Sequence, residues 1–254
     1  MYDNVRYKKD FLKEVIIRFD FSSSITELES NLPQKIENSA KKKFPISEPQ
    51  EAFTKELKFS HTAPVQEESK KSKIWNFHGK EREKSLIITP TSFAVSIRKY
   101  KTYEALKEDV SETAKVFFDV FPDLRVNRAG LRYVNVLSID QATPLVWKKY
   151  INGNLLKNID FREKEFLSRA FCILEYNFDE YSIKYQLGIA NPDYPAIIRR
   201  KEFVLDLDAY SIGTLDWNDT SSFLDKAHIK IQDFFENSIT SSTRKLMKQV
   251  GNEK

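Results

Sequence analysis

Two aspartates stand two residues apart in Leu205-Asp206-Leu207-Asp208. In an extended strand that spacing turns both carboxylates to one face. Two carboxylates on one face have the charge and the oxygen ligands to hold Mg²⁺, as metal-dependent nucleases do. The same pair also suits a lattice of cross-strand salt bridges. Arg128 and Arg132 share one face of their own strand-like segment, and Arg98 and Lys184 lie opposite apolar positions. The lattice is the expected arrangement, because it relieves the repulsion between the two aspartates.

The second candidate is the segment 128–135, Arg-Ala-Gly-Leu-Arg-Tyr-Val-Asn. Arg128 and Arg132 have the donors to contact an anion or phosphate. Gly130 inside a strand pattern suggests a bulge or a close approach. Tyr133 and Asn135 fall on the opposite face, where a buried Asn135 needs hydrogen-bond partners. A structural polar network therefore competes with the anion-binding reading.

The three histidines are His61, beside a polar loop, His78, beside Gly79, and His228, between Leu224 and Ile231. None has a metal-ligand spacing to a second histidine or to cysteine. His228 is expected to be a hydrogen-bonded core or interface residue. The single cysteine, Cys172, excludes a disulfide within the chain and a thiolate-rich zinc site, and its apolar setting reads as an inert core position. Six glycines leave little room for a phosphate-binding loop, and no Ser-His-Asp or Cys-His spacing stands out. No catalytic residue, metal or cofactor is assigned, and the expectation leans away from an enzyme.

The elements that must position these residues run through one order twice. Val15, Ile17, Phe19 and Phe21 alternate as a half-buried strand. Ser24 and Glu27 read as a capping box for a helix over 24–40, which Pro33 kinks or restarts. Phe53, Leu57 and Phe59 mark a strand, 61–73 a polar loop, and 74–77, 86–88 and 93–97 three more strands. Thr102 caps a long helix whose apolar face ends at Phe121 before Pro122. The second pass has a strand at 129–139, a helix over 144–156, a hairpin across Asp179-Glu180, a strand at 203–209 and a helix over 221–238.

The fold class expected is α+β. Two β-α-(β)3-4-α repeats, 1–124 and 125–254, form one unit with pseudo-twofold symmetry. They build a broad, mainly antiparallel twisted sheet with helices packed on one face. The closing helices also correspond locally: Lys115-Val116-Phe117-Phe118-Asp119 resembles Gln232-Asp233-Phe234-Phe235-Glu236.

Composition narrows the function. The 254 residues are 41% hydrophobic and 31% charged, which fits a folded domain with a sizeable core. No apolar run approaches the roughly 20 residues needed to span a bilayer. The polar start Met1-Tyr2-Asp3-Asn4 is no signal peptide, so a cytoplasmic location without membrane contact is expected. A net charge of +4, from 41 basic and 37 acidic residues, is mild for a dedicated DNA binder. Short basic clusters, such as Lys41, Lys42 and Lys43, read as solvated helix ends.

The segment 128–135, with Glu14-Val15-Ile16, Leu205-Asp206-Leu207-Asp208 and the helix carrying His228, Ile231, Phe235 and Thr240, resembles an uncharacterised prokaryotic family. That family runs to about 250 residues and is distributed sporadically in bacteria and archaea, a pattern shared with toxin–antitoxin and anti-phage cassettes, which is function by association only. The resemblance covers almost the whole chain and supplies no catalytic residues. It implies a non-enzymatic binding or regulatory module within a defence or toxin–antitoxin type complex, with a protein partner: a neighbouring gene product or a second copy. The binding residues expected are Arg128, Arg132, Tyr133, Asn135, Asp206, Asp208 and His228. An alternative is nucleic-acid binding across an open sheet face, by analogy with saddle-shaped DNA binders such as the TATA-binding protein, with Tyr100, Phe171 or Tyr210 stacking on bases. A metal-dependent nuclease using Asp206 and Asp208 is the second alternative.

Overall fold

A computed structural model of the chain describes residues 5–58 and 66–250, with backbone alone for 54–58 and 66–70. The elements are β1 (Arg6–Tyr7), β2 (Leu12–Phe21), α1 (Gln34–Lys43), β3 (Ile46–Ser47), β4 (Gln50–Lys58), β5 (Gln66–His78), β6 (Lys84–Thr89), β7 (Ser92–Ile97) and α2 (Tyr103–Val120). They continue with β8 (Val126–Ser138), β9 (Ala170–Asn177), β10 (Ser182–Ile189), β11 (Glu202–Leu215), α3 (Trp217–Ser238), α4 (Ser241–Met247) and β12 (Gln249–Val250). The class is α+β. A large sheet runs in the order β3-β5-β6-β7-β2-β8-β11-β10-β9, with β4 beside β5, and β1 pairs with β12 separately. The registers of β3 with β5, β4 with β5, β5 with β6, β6 with β7, β9 with β10 and β10 with β11 are all antiparallel.

The chain divides into two compact units. The first is Ile16–Gly130 with Ile212–Ser222. Its core is the alternating face of β2, β6 and β7, where Ile17, Phe19, Leu86, Ile88, Phe93 and Val95 are fully or almost fully buried. Helix α2 closes on that face through Phe117, which meets Phe21 and Phe93 at ring distances of 5.4 and 5.8 Å. Thr102 caps α2 as expected, its hydroxyl accepting from the Ala105 amide at 3.2 Å. Lys42 and Lys43 of α1 reach Glu112 and Glu108 of α2.

The second unit is Met1–Val15, Leu131–Ser211 and Phe223–Lys254. Leu131, Ile183, Leu187, Leu205 and Leu207 form the buried face of its strands. Helix α3 lies against that face: Phe234 meets Tyr185 and Tyr176 edge-on at 6.1 and 5.0 Å. The Tyr185 hydroxyl donates to Ser238 at 2.7 Å. Glu236, 1% exposed, accepts from Tyr7 of β1 at 2.6 Å and from Arg244 of α4 at 2.8 Å, which fixes both ends of the unit to α3.

Four expectations change. The helix over 24–40 is a 3-10 turn at Thr26–Glu29 followed by α1, and Ile25 stands at the cap of the turn without a side-chain bond. Pro33 is the cause: it has no amide to donate and holds Leu32 away from helical backbone, so α1 starts afresh at Gln34. The helix over 144–156 is turns and one 3-10 turn, Gly153–Leu156. Its apolar spacing is genuine, since Trp147, Tyr150, Ile151 and Leu156 are all buried, but the side chains anchor a loop, with the Trp147 indole donating to the Pro144 carbonyl at 2.7 Å.

The loop expected over 61–73 is strand from Gln66 onward, where β5 pairs with β4 in a ribbon with no apolar alternation to betray it. Helix α3 starts at Trp217, four residues early. Asp216 and Asp219 exchange carboxylate-to-amide hydrogen bonds of 2.8 and 3.2 Å, an acidic version of the capping box.

Candidate functional site

The strands of the second unit present two faces. One is the buried face under α3. On the other lie Arg132 of β8, Asp206, Asp208 and Tyr210 of β11, Lys184 and Gln186 of β10, and Phe171, Ile173 and Glu175 of β9. This outer face is buried at Asp206, half-buried at the other named residues of β8, β10 and β11, and exposed along β9.

Its centre is the Arg132–Asp206 pair. The guanidinium donates in a fork to both carboxylate oxygens, Nε to Oδ1 at 2.8 Å and Nη2 to Oδ2 at 2.5 Å. The Asp206 side chain is 8% exposed and that of Arg132 40%. The Asp206 hydrogen bond, ahead of the charges of Asp206, Asp208 and Glu14, holds the Arg132 guanidinium above its ordinary pKa. Register extends the pattern. Glu175, Lys184 and Asp208 stand directly opposite one another on three adjacent strands, so charge alternates across the row. The Tyr210 hydroxyl donates to Glu175.

Asp206 and Asp208 therefore share a face, as their spacing requires, and both oxygens of Asp206 are engaged by an arginine. The Arg132–Asp206 pair is one member of the lattice expected from the sequence, whereas Arg128 lies by Asp20 and Arg98 lines a cavity with His78. Among the described residues no group of three or more His, Cys, Asp or Glu side chains is placed to hold a metal ion.

Arg128 and Arg132 have separate carboxylates. Arg128 lies in the first unit, 3.8 Å from Asp20, which also accepts from Arg18 at 2.7 Å. A Cβ at Gly130 would stand 3.0 Å from a guanidinium nitrogen of Arg128, the flexible end of a side chain two residues along the same face. Tyr133 and Asn135 lie on the buried face. The Tyr133 hydroxyl and His228 Nδ1 are 3.1 Å apart, and Asn135 donates to the Leu205 carbonyl at 3.3 Å. Of the expected site residues, Arg132, Asp206 and Asp208 are together on the outer face. Tyr133, Asn135 and His228 support it from behind.

His78 lines a shallow cavity of the first unit with Arg82, Glu83, Lys84, Ser85, Ser96 and Arg98, its Nε2 3.5 Å from Glu48. His61 lies outside the described residues. Of the aromatics considered for stacking, Phe171 is 44% exposed on the outer face, whereas Tyr100 and Tyr210 are half-buried. Cys172, expected in the core, is half-buried on β9, the last strand of the sheet. Sequence reading missed Glu175 and Ile173, because the unbroken apolar run Ala170–Leu174 carries no alternation to assign the faces of β9.

No helix among the described residues is long and apolar enough to cross a membrane. Comparison with known protein families found no matching family model, and comparison with curated proteins found no match.

Proposed function

We propose that this chain is a non-enzymatic binding module whose outer sheet face in the second unit receives a protein partner, within a defence or toxin–antitoxin type complex. The observation that carries the reading is the chemistry of that face. A self-compensated row of charges, Glu175, Lys184 and Asp208, borders exposed Phe171 and Ile173, so polar register and apolar contact area lie side by side. Asp206 has its carboxylate closed by Arg132, which favours a structural role for the acidic pair over metal-assisted cleavage.

The finer architecture belongs to the same proposal. Each half, 1–124 and 125–254, holds a long strand followed later by a long helix, β2 then α2 and β8 then α3, with the short β1 before the first set and α4 and β12 after the second. This order supports an internal duplication. Nucleic-acid binding is the second reading, favoured by the exposed ring of Phe171 on a sheet face.

The test is co-expression with the products of neighbouring genes, for the wild type and for Lys184→Glu, which makes the row uniformly acidic. A partner that co-elutes with the wild type and is lost from the folded variant is expected. Equal recovery with both, or no co-eluting neighbour, refutes the protein reading. Salt-sensitive oligonucleotide binding then supports the second one.

A further inference from the structure

We infer that β9 is the pairing edge of a homodimer, in which two copies join antiparallel through residues 169–175 about a twofold axis at Cys172. This stands apart from the face proposed above, because it rests on the backbone edge of the strand. Among the described residues the sheet ends at β9, whose neighbour is β10 alone. The sequence Ala-Phe-Cys-Ile-Leu-Glu-Tyr-Asn has no proline or lysine to blunt an edge, and its register with β10 is unbroken from Ala170 to Asn177.

The hydrogen-bond phase shows which amides are available. The Phe178 amide donates to the Tyr181 carbonyl at 2.9 Å, which closes the hairpin with a hydrogen-bonded pair. Alternation from there turns the amides of Cys172, Leu174 and Tyr176 toward β10. Those of Phe171, Ile173 and Glu175 turn outward, and Arg169 stands one residue before the strand, its guanidinium 4.6 Å from the Tyr194 ring.

Antiparallel self-pairing through the outward set allows several registers, and charge selects one. With Cys172 on the axis, Arg169 of each copy stands opposite Glu175 of the other, and Phe171 opposite Ile173. Two ion pairs then flank two aromatic–β-branched pairs, both favourable cross-strand combinations. A shift of the axis to Ile173 sets Glu175 against Phe171 and loses both ion pairs. The chosen register forms about eight backbone hydrogen bonds. Two-strand continuation of a sheet into a partner is a common mode of protein recognition.

The register gives a specific readout. Cys172 is the chain's only cysteine. It faces its twin across a non-hydrogen-bonded pair, where Cα atoms are about 4.5 Å apart, inside the range a disulfide spans. Diamide should take two electrons and two protons from the paired thiols, leaving one disulfide and a covalent dimer. Sedimentation should give twice the 29.8 kDa chain mass. Ile173→Pro, which removes an outward amide and leaves the pairing with β10, should yield a folded monomer. If that variant does not fold, charge decides: Arg169→Glu should weaken dimerisation at least tenfold, and Arg169→Glu with Glu175→Arg should restore it. A single-chain mass up to about 100 µM, where even weak pairs form, overturns the inference. So does a dimer indifferent to folded Ile173→Pro, absence of the Cys172 cross-link, or failure of the charge exchange to restore pairing.

Discussion

Replacing Arg132 by methionine should destabilise the chain more than removing both members of its ion pair. The carboxylate of Asp206 is 8% exposed and receives both of its close hydrogen bonds from the Arg132 fork. Without the arginine, a nearly buried charge is left uncompensated, which costs about 3–5 kcal/mol when the site is fully enclosed. Arg132 is itself 40% exposed, so water enters when it is shortened, and about 2–3 kcal/mol is the expected loss after that discount. For a chain of this size, that loss lowers the melting temperature by about 5–10 °C.

The double variant Arg132→Met/Asp206→Leu removes the charge and its partner together. It should fall within about 1 kcal/mol of the wild type. Urea unfolding followed by circular dichroism measures all three proteins. The coupling energy from the cycle with Asp206→Leu isolates the pair. A loss below about 0.5 kcal/mol for Arg132→Met, the range of ordinary surface changes, would refute the assignment of the pair as a strut. Additive single losses would do the same.

Gly188→Ala should cost about 2–4 kcal/mol, because φ is +142° and the new Cβ would stand 2.1 Å from the Ala170 carbonyl oxygen on the neighbouring strand. An unchanged melting temperature would contradict the close approach of β9 and β10. Alkali should destabilise the protein through Tyr7 and Tyr185. Burial, reinforced at Tyr7 by the Glu236 hydrogen bond, raises both hydroxyls above their ordinary 10.0. Both stay protonated in the folded chain while the unfolded chain ionises, so the stability they confer is complete below pH 10 and declines above it. The slope reaches at most about 1.4 kcal/mol per pH unit for buried Tyr185 and less for half-exposed Tyr7. Tyr7→Phe and Tyr185→Phe should flatten the decline in unfolding midpoints between pH 8 and 11, and an identical decline in both variants would rule out this source.

The legible parts of this chain were those with one buried face. The alternation of Val15, Ile17, Phe19 and Phe21 identified β2, because each of those side chains is buried and each neighbour is less so. The spacing of Asp206 and Asp208 gave their shared face for the same reason, and Arg132 supplied the partner the lattice required. Burial without regular backbone misled: Trp147, Tyr150 and Ile151 satisfy a helical spacing, yet they anchor turns. Strands without burial were invisible in the opposite way. The Gln66 end of β5 belongs to a polar ribbon, and Cys172 sits in apolar company that turns out to be a sheet edge. The Glu236, Tyr7 and Arg244 network had no local signal, since Tyr7 and Glu236 are separated by 229 positions.

The discontinuity of the second unit has a consequence for synthesis. Its strand β1 is made long before α3 and β12, yet Arg6 pairs with Val250 and Tyr7 bonds Glu236, so both wait for those later elements. The first unit has all but the Ile212–Ser222 segment of its chain once Gly130 has emerged. Folding during translation should therefore start in the first unit, and Arg6 and Tyr7 should be among the last residues of the second unit to find their partners.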